Sequence, residues 1–344
     1  MCQKIVDIGV FAHNEENNIC RIIKELANQN KSLSNKYSVQ IFILANGCTD
    51  NTAINASELI SSDALYENFR LINFEQGGKS RTWNRFVHNI SRRDATYLIF
   101  CDSDIWFTKA NILLELCEKL SNDPKLSVVT SKPVKDLQLK SKKLSRLEKL
   151  ILSSGGSLTN WKKSICGQLY VTRANIAKSI YLPIGLPVED GYVRAMIATK
   201  NLSQTESLSQ FDGNDENFHI YSSEKSIRKL IEHQVRIVIG SSINACIYSY
   251  LREQTSSERD LLIKKMAEDG DILKNILKKS FPDWKYGWVP WSFLFKRVNY
   301  SLSNTTKLLS LRAIFVLLAG FCFDLIVYLV AQYRMAKGKG IGYW

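Results

Sequence analysis

Residues 5–12 form a compact apolar run that breaks off abruptly at His13-Asn14-Glu15-Glu16. Such a run suits a strand buried on both faces. Residues 16–28 then place apolar side chains at 19, 22, 23 and 26, the spacing of a helix with one buried face. The alternation repeats. Strands are expected at 39–45, 69–74 and 96–101, with helices over 52–60 and after Gly77-Gly78. Each strand ends in a polar cluster: Asn46-Gly47-Cys48-Thr49-Asp50 after the second, Asp102-Ser103-Asp104 after the fourth. Strands alternating with helices predict a mostly parallel sheet covered by helices on both faces. Ligands of such sheets bind at the carboxyl ends of the strands, where these clusters fall. Beyond residue 130 the pattern loosens. Residues 132–149 read as a surface helix, 166–171 as a strand, 201–217 as a mobile polar loop and 222–250 as a helix. A dense aromatic stretch follows at 284–295, and residues 313–331 are almost wholly apolar. The division expected is a catalytic domain over 1–240 and a C-terminal helical region over 241–344.

The chain has 344 residues, 45% of them hydrophobic and 23% charged, which suits a globular protein. Its 46 Lys and Arg against 33 Asp and Glu leave a net charge of +13. This favours anionic partners, whether phosphorylated ligands, nucleic acid or an acidic membrane surface. Nucleic acid fits poorly, because the aromatic residues gather near the C-terminus and do not interleave with a basic patch. None of the eight cysteines has Cys-x-x-Cys spacing. They read as free thiols of a reducing compartment. The apolar run at 5–11 is too short for a signal peptide, so the catalytic domain is expected in the cytosol.

Five places carry candidate chemistry. Two carboxylates at i and i+2 after an apolar strand, Asp102 and Asp104, can address one divalent cation, Mg²⁺ or Mn²⁺. An acidic turn that caps a helix would look the same. Glu189-Asp190 could supply a general base for an acceptor hydroxyl, or simply complement a helix N-terminus. Gly77-Gly78-Lys79-Ser80 resembles the end of a phosphate-binding loop. Position 73, however, is Asn and not the glycine an ATPase loop needs. A glycine turn into a helix with a lysine still suits a nucleotide phosphate. His219 could add a metal ligand or be a structural histidine, and Arg236 could clamp a diphosphate or lie on a solvated helix face.

Taken in order, these segments resemble a family 2 glycosyltransferase of the GT-A, Rossmann-like fold. The resemblance rests on Val10-Phe11-Ala12-His13-Asn14-Glu15, Ala45-Asn46-Gly47-Cys48-Thr49-Asp50-Asn51-Thr52, Gly78-Lys79-Ser80 with Asn84, Asp102-Ser103-Asp104 and Glu189-Asp190. It implies that Ala12, Asn14 and Glu15 border a nucleotide, with Glu15 near the ribose and Asn46 facing the base. Many members carry an acidic residue where Asn46 stands. Asp50 and Thr52 would shape that loop, and Lys79 would approach the nucleotide. Asp102 would contact ribose or phosphate, Asp104 the metal, and Asp190 would act as base in an inverting displacement. A UDP-sugar is the expected donor. Processive members carry Gln-x-x-Arg-Trp; here Gln234-Val235-Arg236-Ile237 lacks the Trp, so transfer of a single sugar is expected. A nucleotidyltransferase would need a glycine-rich basic loop where Phe11-Ala12-His13-Asn14-Glu15 stands. A catalytically inactive nucleotide-sugar sensor or membrane-binding protein would not need both carboxylate pairs.

The segment 313–331 spans about 28 Å as a helix, just short of a hydrocarbon core of ~30 Å. Its Leu, Ile, Val and Phe favour insertion by roughly 4–7 kcal/mol, against a cost of about 2.5–3.5 for Asp324. Arg312 precedes it, and Arg334, Lys337 and Lys339 follow. A single pass would carry that basic tail out of the cytosol, so a re-entrant or in-plane helix at the cytoplasmic face of the membrane is favoured over a span. A buried core helix or a homo-oligomer interface would use the same residues. Membrane attachment points to a lipid-linked or envelope saccharide as acceptor.

Overall fold

The computed structural model describes residues 3–140, 144–145, 148–149, 151–152, 160–280, 288–303 and 311–339. Two compact units emerge. One comprises Met1–Ile184 with Glu189–Ser223, the other Gly185–Val188 with Glu224–Tyr343.

The first unit is built on one eight-stranded sheet. Strand β1 (Lys4–Ala12) lies parallel between β2 (Tyr37–Asn46) and β4 (Tyr97–Asp102), and β3 (Phe69–Phe74) extends it beyond β2. The other half is mixed. It contains β5 (Ile105–Phe107), β6 (Val128–Lys135), β7 (Leu169–Arg173) and β8 (Phe211–Tyr221), in the overall order β3-β2-β1-β4-β7-β6-β8-β5. Strand β7 is antiparallel to both β4 and β6, β8 is parallel to β6, and β5 is antiparallel to β8. Helices α1 (Ile19–Leu33), α2 (Thr52–Ser61), α3 (Lys79–Arg85) and α4 (Ile112–Asn122) follow β1, β2, β3 and β5. From β1 the chain moves outward to β2 and β3, then returns to β4 on the other side. This reversal opens a crevice at the carboxyl ends of β1, β2 and β4.

Two sequence expectations need correction. Residues 132–135 continue β6, and Asp136–Leu139 makes a short 3₁₀ turn where a helix was expected; part of the remainder to 149 lies outside the described residues. The polar run assigned to a mobile loop contains most of β8. Its charges are neutralised at the sheet margin: Asp212 meets Lys119 at 2.8 Å, and Asp215 pairs with Lys162. Phe211, Gly213 and Asn217 face inward. A Cβ on Gly213 would lie 2.3 Å from the Trp161 ring, so only glycine lets the strand pass. Polarity concealed the strand because its partners are ionic and far away in sequence.

The core is mostly Val, Ile and Leu, with an aromatic stack on β4 and β7. Phe100 stacks on Tyr170 at 4.6 Å and on Trp83 at 5.4 Å, and Trp83 donates its indole N–H to Tyr170 Oη at 3.0 Å. Near the opposite end of β1 from the crevice lies an ionic fastener. Asp7, wholly buried, accepts from Arg92 N at 2.6 Å and Arg92 Nε at 2.7 Å. The same guanidinium donates to the Val6 and Ser38 carbonyls and to Ser38 Oγ. One side chain thus joins β1, β2 and the turn before β4.

The second unit is helical: α5 (Ile227–Arg252), α6 (Ser256–Glu268), α7 (Gly270–Ser280), α8 (Ser292–Ser303) and α9 (Leu311–Ala336). Ser226 caps α5, and Thr255 forms a capping box with Glu258 on α6. Asn244 Nδ2 donates to Val188 O at 3.0 Å, and Gly240 leaves room for Val188, which ties 185–188 to α5. Trp284 and Tyr286 of the aromatic stretch lie outside the described residues.

Asp7→Ala would strand Arg92 with five donors and no carboxylate. We expect it to cost about 3–5 kcal/mol of stability. Chemical denaturation of the two proteins checks this; a loss below about 1 kcal/mol would show that water compensates Arg92.

Candidate active site

Two loops at the carboxyl ends of β1 and β2 are stitched together by side chains. Glu15 N donates to Thr52 Oγ1 at 2.7 Å; Asp50 accepts from Thr52 N at 3.0 Å and from Glu16 N at 3.1 Å. Asn14, with φ of 55°, accepts from Thr49 N through its Oδ1 at 2.8 Å. Asp50, Thr52 and Asn14 thereby shape the rim of the crevice. Gly47 has φ of +59°, and a Cβ there would come within 2.6 Å of Gly77 N, so the loop after β3 packs directly against the loop after β2. Ala12 is fully buried at the end of β1.

Asn46 closes β2 and is also fully buried. Its Oδ1 accepts from Thr82 at 2.8 Å, its carbonyl pairs with His13 Nδ1 at 2.7 Å, and among the described residues its Nδ2 has no partner. A buried donor left unpaired costs free energy unless something accepts from it.

The charged centre lies between β4 and the helix Glu189–Thr199. Lys79, at the start of α3, reaches Asp102 Oδ1 at 2.8 Å and Glu189 Oε1 at 3.0 Å. Burial alone would pull the lysine pKa down; the charges of Asp102 and Glu189 outweigh it and raise it. Burial pushes Asp102 up to about 6. Lys79 opposes the rise, but it is shared with Glu189, and Asp104 adds like charge. Burial also raises Asp104, reinforced by Glu15. Glu15 is raised by burial in turn, partly offset by Asn18, which donates to it at 2.6 Å. Negative charge therefore converges at this point beyond what Lys79 balances.

Several contributors escaped the sequence reading. Arg21 donates to the Ile105 carbonyl at 2.6 Å and the Ser103 carbonyl at 3.4 Å, and stacks over Trp106 at 4.2 Å. It grips the Asp102-Ser103-Asp104 turn from α1, and only its i,i+4 pairing with Glu25 was visible in sequence. Asn84, named in the sequence beside Gly78-Lys79-Ser80 but without a partner there, exchanges hydrogen bonds of 2.8 and 2.9 Å with the Leu182 backbone. The Cys166-Gly167-Gln168 turn holds Asp102 N through the Gln168 carbonyl at 2.8 Å. Gly167 also makes room for Asp190, whose Oδ2 would lie 3.1 Å from a Cβ there.

His219 is fully buried on β8. Its Nδ1 pairs with Ser131 Oγ at 2.9 Å and its Nε2 with Gln168 Oε1 at 3.2 Å, while burial lowers its pKa to about 3. It would reach a metal only by giving up one of these bonds. Arg236 lies on α5, in the second unit. Among the described residues no three His, Cys, Asp or Glu side chains form a metal site of their own.

The eight-stranded sheet with its flanking helices has the GT-A architecture, and the carboxylates stand at the end of β4. Residues 7–174, just under half of the chain, match the family described as Glycosyl transferase family 2, and that match marks the stretch as a glycosyltransferase domain. Among solved structures it is similar to the mannosyltransferase PcManGT from Pyrobaculum calidifontis in complex with GDP-Man and Mn²⁺. That match has 12% identity and a TM-score of 0.54, covering 96% of this chain and 88% of that one. It is also similar to glucosyl-3-phosphoglycerate synthase from Mycobacterium tuberculosis in complex with Mg²⁺ and UDP, with 17% identity, a TM-score of 0.46, and coverage of 68% and 78%. No curated protein matches the chain significantly.

Asp104→Asn removes one of the buried, mutually repelling carboxylates. It is expected to raise the melting temperature of metal-free protein by about 2–4 °C, equivalent to about 1 kcal/mol. Mn²⁺ should stabilise the parent protein and not the variant. Equal stabilisation of both by Mn²⁺ in a thermal melt would place the metal elsewhere.

Proposed function

We propose that this glycosyltransferase takes a sugar from a nucleotide-sugar donor in a metal-dependent, inverting displacement and adds a single sugar per encounter. The observation that carries the reading is that Glu15, after β1, raises the pKa of Asp104, after β4, and Asp102 raises that of Glu15, all three carboxyls being raised first by burial. Oxygen ligands with unbalanced negative charge suit a hard cation. Bound through Asp104, Mg²⁺ or Mn²⁺ would neutralise the charge that builds on the diphosphate as the glycosidic bond breaks. Because no third side-chain ligand is gathered among the described residues, phosphate and water would complete the shell.

The chain's own residues divide the remaining work. Ala12, Asn14, Glu15, Asn46 and Asp50 line or brace the rim for the nucleoside, and the unpaired Asn46 Nδ2 offers a donor there. Lys79 holds Asp102 toward the donor and Glu189 toward the acceptor side. Asp190, seated against Gly167, takes the proton from the acceptor hydroxyl as it attacks from the face opposite the leaving group. A UDP-sugar remains the favoured donor; the GDP-Man bound by the similar mannosyltransferase makes GDP the pair to test against it. The division into a catalytic region over 1–240 and a helical region over 241–344 goes with this reading, as does an acceptor that is a lipid-linked or envelope saccharide at the cytoplasmic face of a membrane. Among the described residues, one helix is long and apolar enough to reach across a bilayer, which supports membrane association.

Calorimetric titration with UDP and GDP, with and without Mn²⁺, should show metal-dependent binding of one nucleotide that Asp104→Ala loses. Binding of neither would defeat the reading. Asp190→Asn should lower kcat for transfer to membrane lipid by about 10²–10⁴-fold, with donor Kd unchanged within about twofold. An unchanged kcat would remove Asp190 from the chemistry.

A further inference from the structure

The two C-terminal helices, α8 and α9, run antiparallel and are joined by polar contacts. Gln332 Nε2 donates to the Val289 carbonyl at 3.0 Å, Val289 N donates to Gln332 Oε1 at 3.2 Å, and Tyr328 Oη donates to Val289 O at 3.1 Å. Trp291 stacks on Tyr328 at 5.5 Å, and Phe295 meets Phe321 at 6.0 Å. Further along, Arg297 grips Asp324 with two bonds, Nε to Oδ2 at 2.8 Å and Nη2 to Oδ1 at 3.1 Å. A Cβ at Gly320 would stand 2.7 Å from Arg297 Cδ, so glycine admits the arginine. The one acidic residue within the apolar stretch 313–331 is therefore a fastener between helices. Its charge is matched before any lipid is met, which removes most of the penalty expected for Asp324 from sequence.

Those contacts occupy one side of α9. Val327, Tyr328, Ala331, Gln332 and Met335 are buried there, against α8 and α5. The opposite side exposes Phe315, Leu318, Cys322, Ile326, Leu329 and Tyr333. At 100° per residue these six fall in one stripe about 80° wide. Ile314 and Val316 are exposed to either side of the stripe, so the buried side of the helix runs over 327–335 only; there one face is covered, unlike a helix that crosses a bilayer on its own and meets hydrocarbon all round. Trp291, also exposed, belongs at the headgroup level, where Trp concentrates. Lys296, Lys337 and Lys339 are exposed as well, and the chain carries +13 overall. These charges complement acidic headgroups.

We propose that α8 and α9 form a hairpin that lies in the plane of an acidic lipid surface, with the Phe315-to-Tyr333 stripe among the acyl chains and Arg297–Asp324 locking the two helices. The proposal deepens the membrane reading above and rests on it.

The full chain is tested by flotation with vesicles of phosphatidylcholine alone and of phosphatidylcholine with phosphatidylglycerol. Binding is expected to the acidic vesicles only. Leu318→Glu with Leu329→Glu should weaken it at least about tenfold, while nucleotide titration stays unchanged and shows the catalytic unit intact. An environment-sensitive fluorophore on Cys322 should shift to the blue on vesicle addition, with no such shift in a Cys322→Ser control. Arg297→Met should weaken binding, and Arg297→Met with Asp324→Leu should restore it. A C-terminal tag should remain open to protease outside sealed vesicles. No vesicle binding overturns both the hairpin and the membrane reading. Binding with a protected tag overturns the in-plane arrangement and leaves membrane attachment standing. A stripe variant that turns a dimer into a monomer without changing vesicle binding assigns the stripe to a second copy of the chain. None of these outcomes bears on the transferase reading, which the nucleotide titration decides separately.

Discussion

Lys79 is a buried cation with two anionic partners drawn from distant parts of the chain, and the arrangement of the crevice depends on that charge balance. An ammonium removed from water needs carboxylates close by, and here Asp102 comes from the end of β4 and Glu189 from the start of a helix far along the sequence. The glycine turn before α3 brings Lys79 to that point. Asp102 in turn is fixed by the Gln168 carbonyl at its backbone N–H, and its turn is gripped by Arg21 from α1. Removing the lysine would leave Asp102 and Glu189 without their shared cation, with Arg21 left to offset Glu15 and Asp104.

The first half of the sheet was plain in the sequence because β1, β2 and β4 are buried on both faces along most of their length and each ends in a turn with its own polar signature. Strand β3 falls at residues 69–74 as expected, and β1, β2 and β4 differ from expectation by a few residues at most. The second half was harder to see. Strand β8 reads as a loop because Asp212, Asn214 and Asp215 are polar, and nothing local reveals that Lys119 and Lys162 come to meet them. Residues 132–135 show lysines at intervals that suit a surface helix, yet they pair with β8 across a register shift. Pairing between remote segments decided both cases.

The candidate site divides along the same line. Motif residues next to strand ends, such as Glu15, Asn46, Asp102 and Asp104, announce themselves through type and position. Arg21, Thr82, Gly167 and Gln168 do not, because each acts on a neighbour brought in by the fold. Gly167 is the clearest instance: a lone glycine in an unremarkable stretch, whose missing side chain is the room Asp190 occupies. For Asp324 the sequence recorded an acid in an apolar helix, but only the structure supplied Arg297 beside it.

The Asp7–Arg92 fastener has a consequence for how such a protein diversifies. It secures β1, β2 and the approach to β4 near one end of the strands, while the groups that address ligands stand at the other. At that end of the strands cohesion draws on residues apart from the candidate site. The loops around the crevice are free to drift toward new sugars or acceptors without loosening the scaffold, so that selection acts on specificity with little interference from folding.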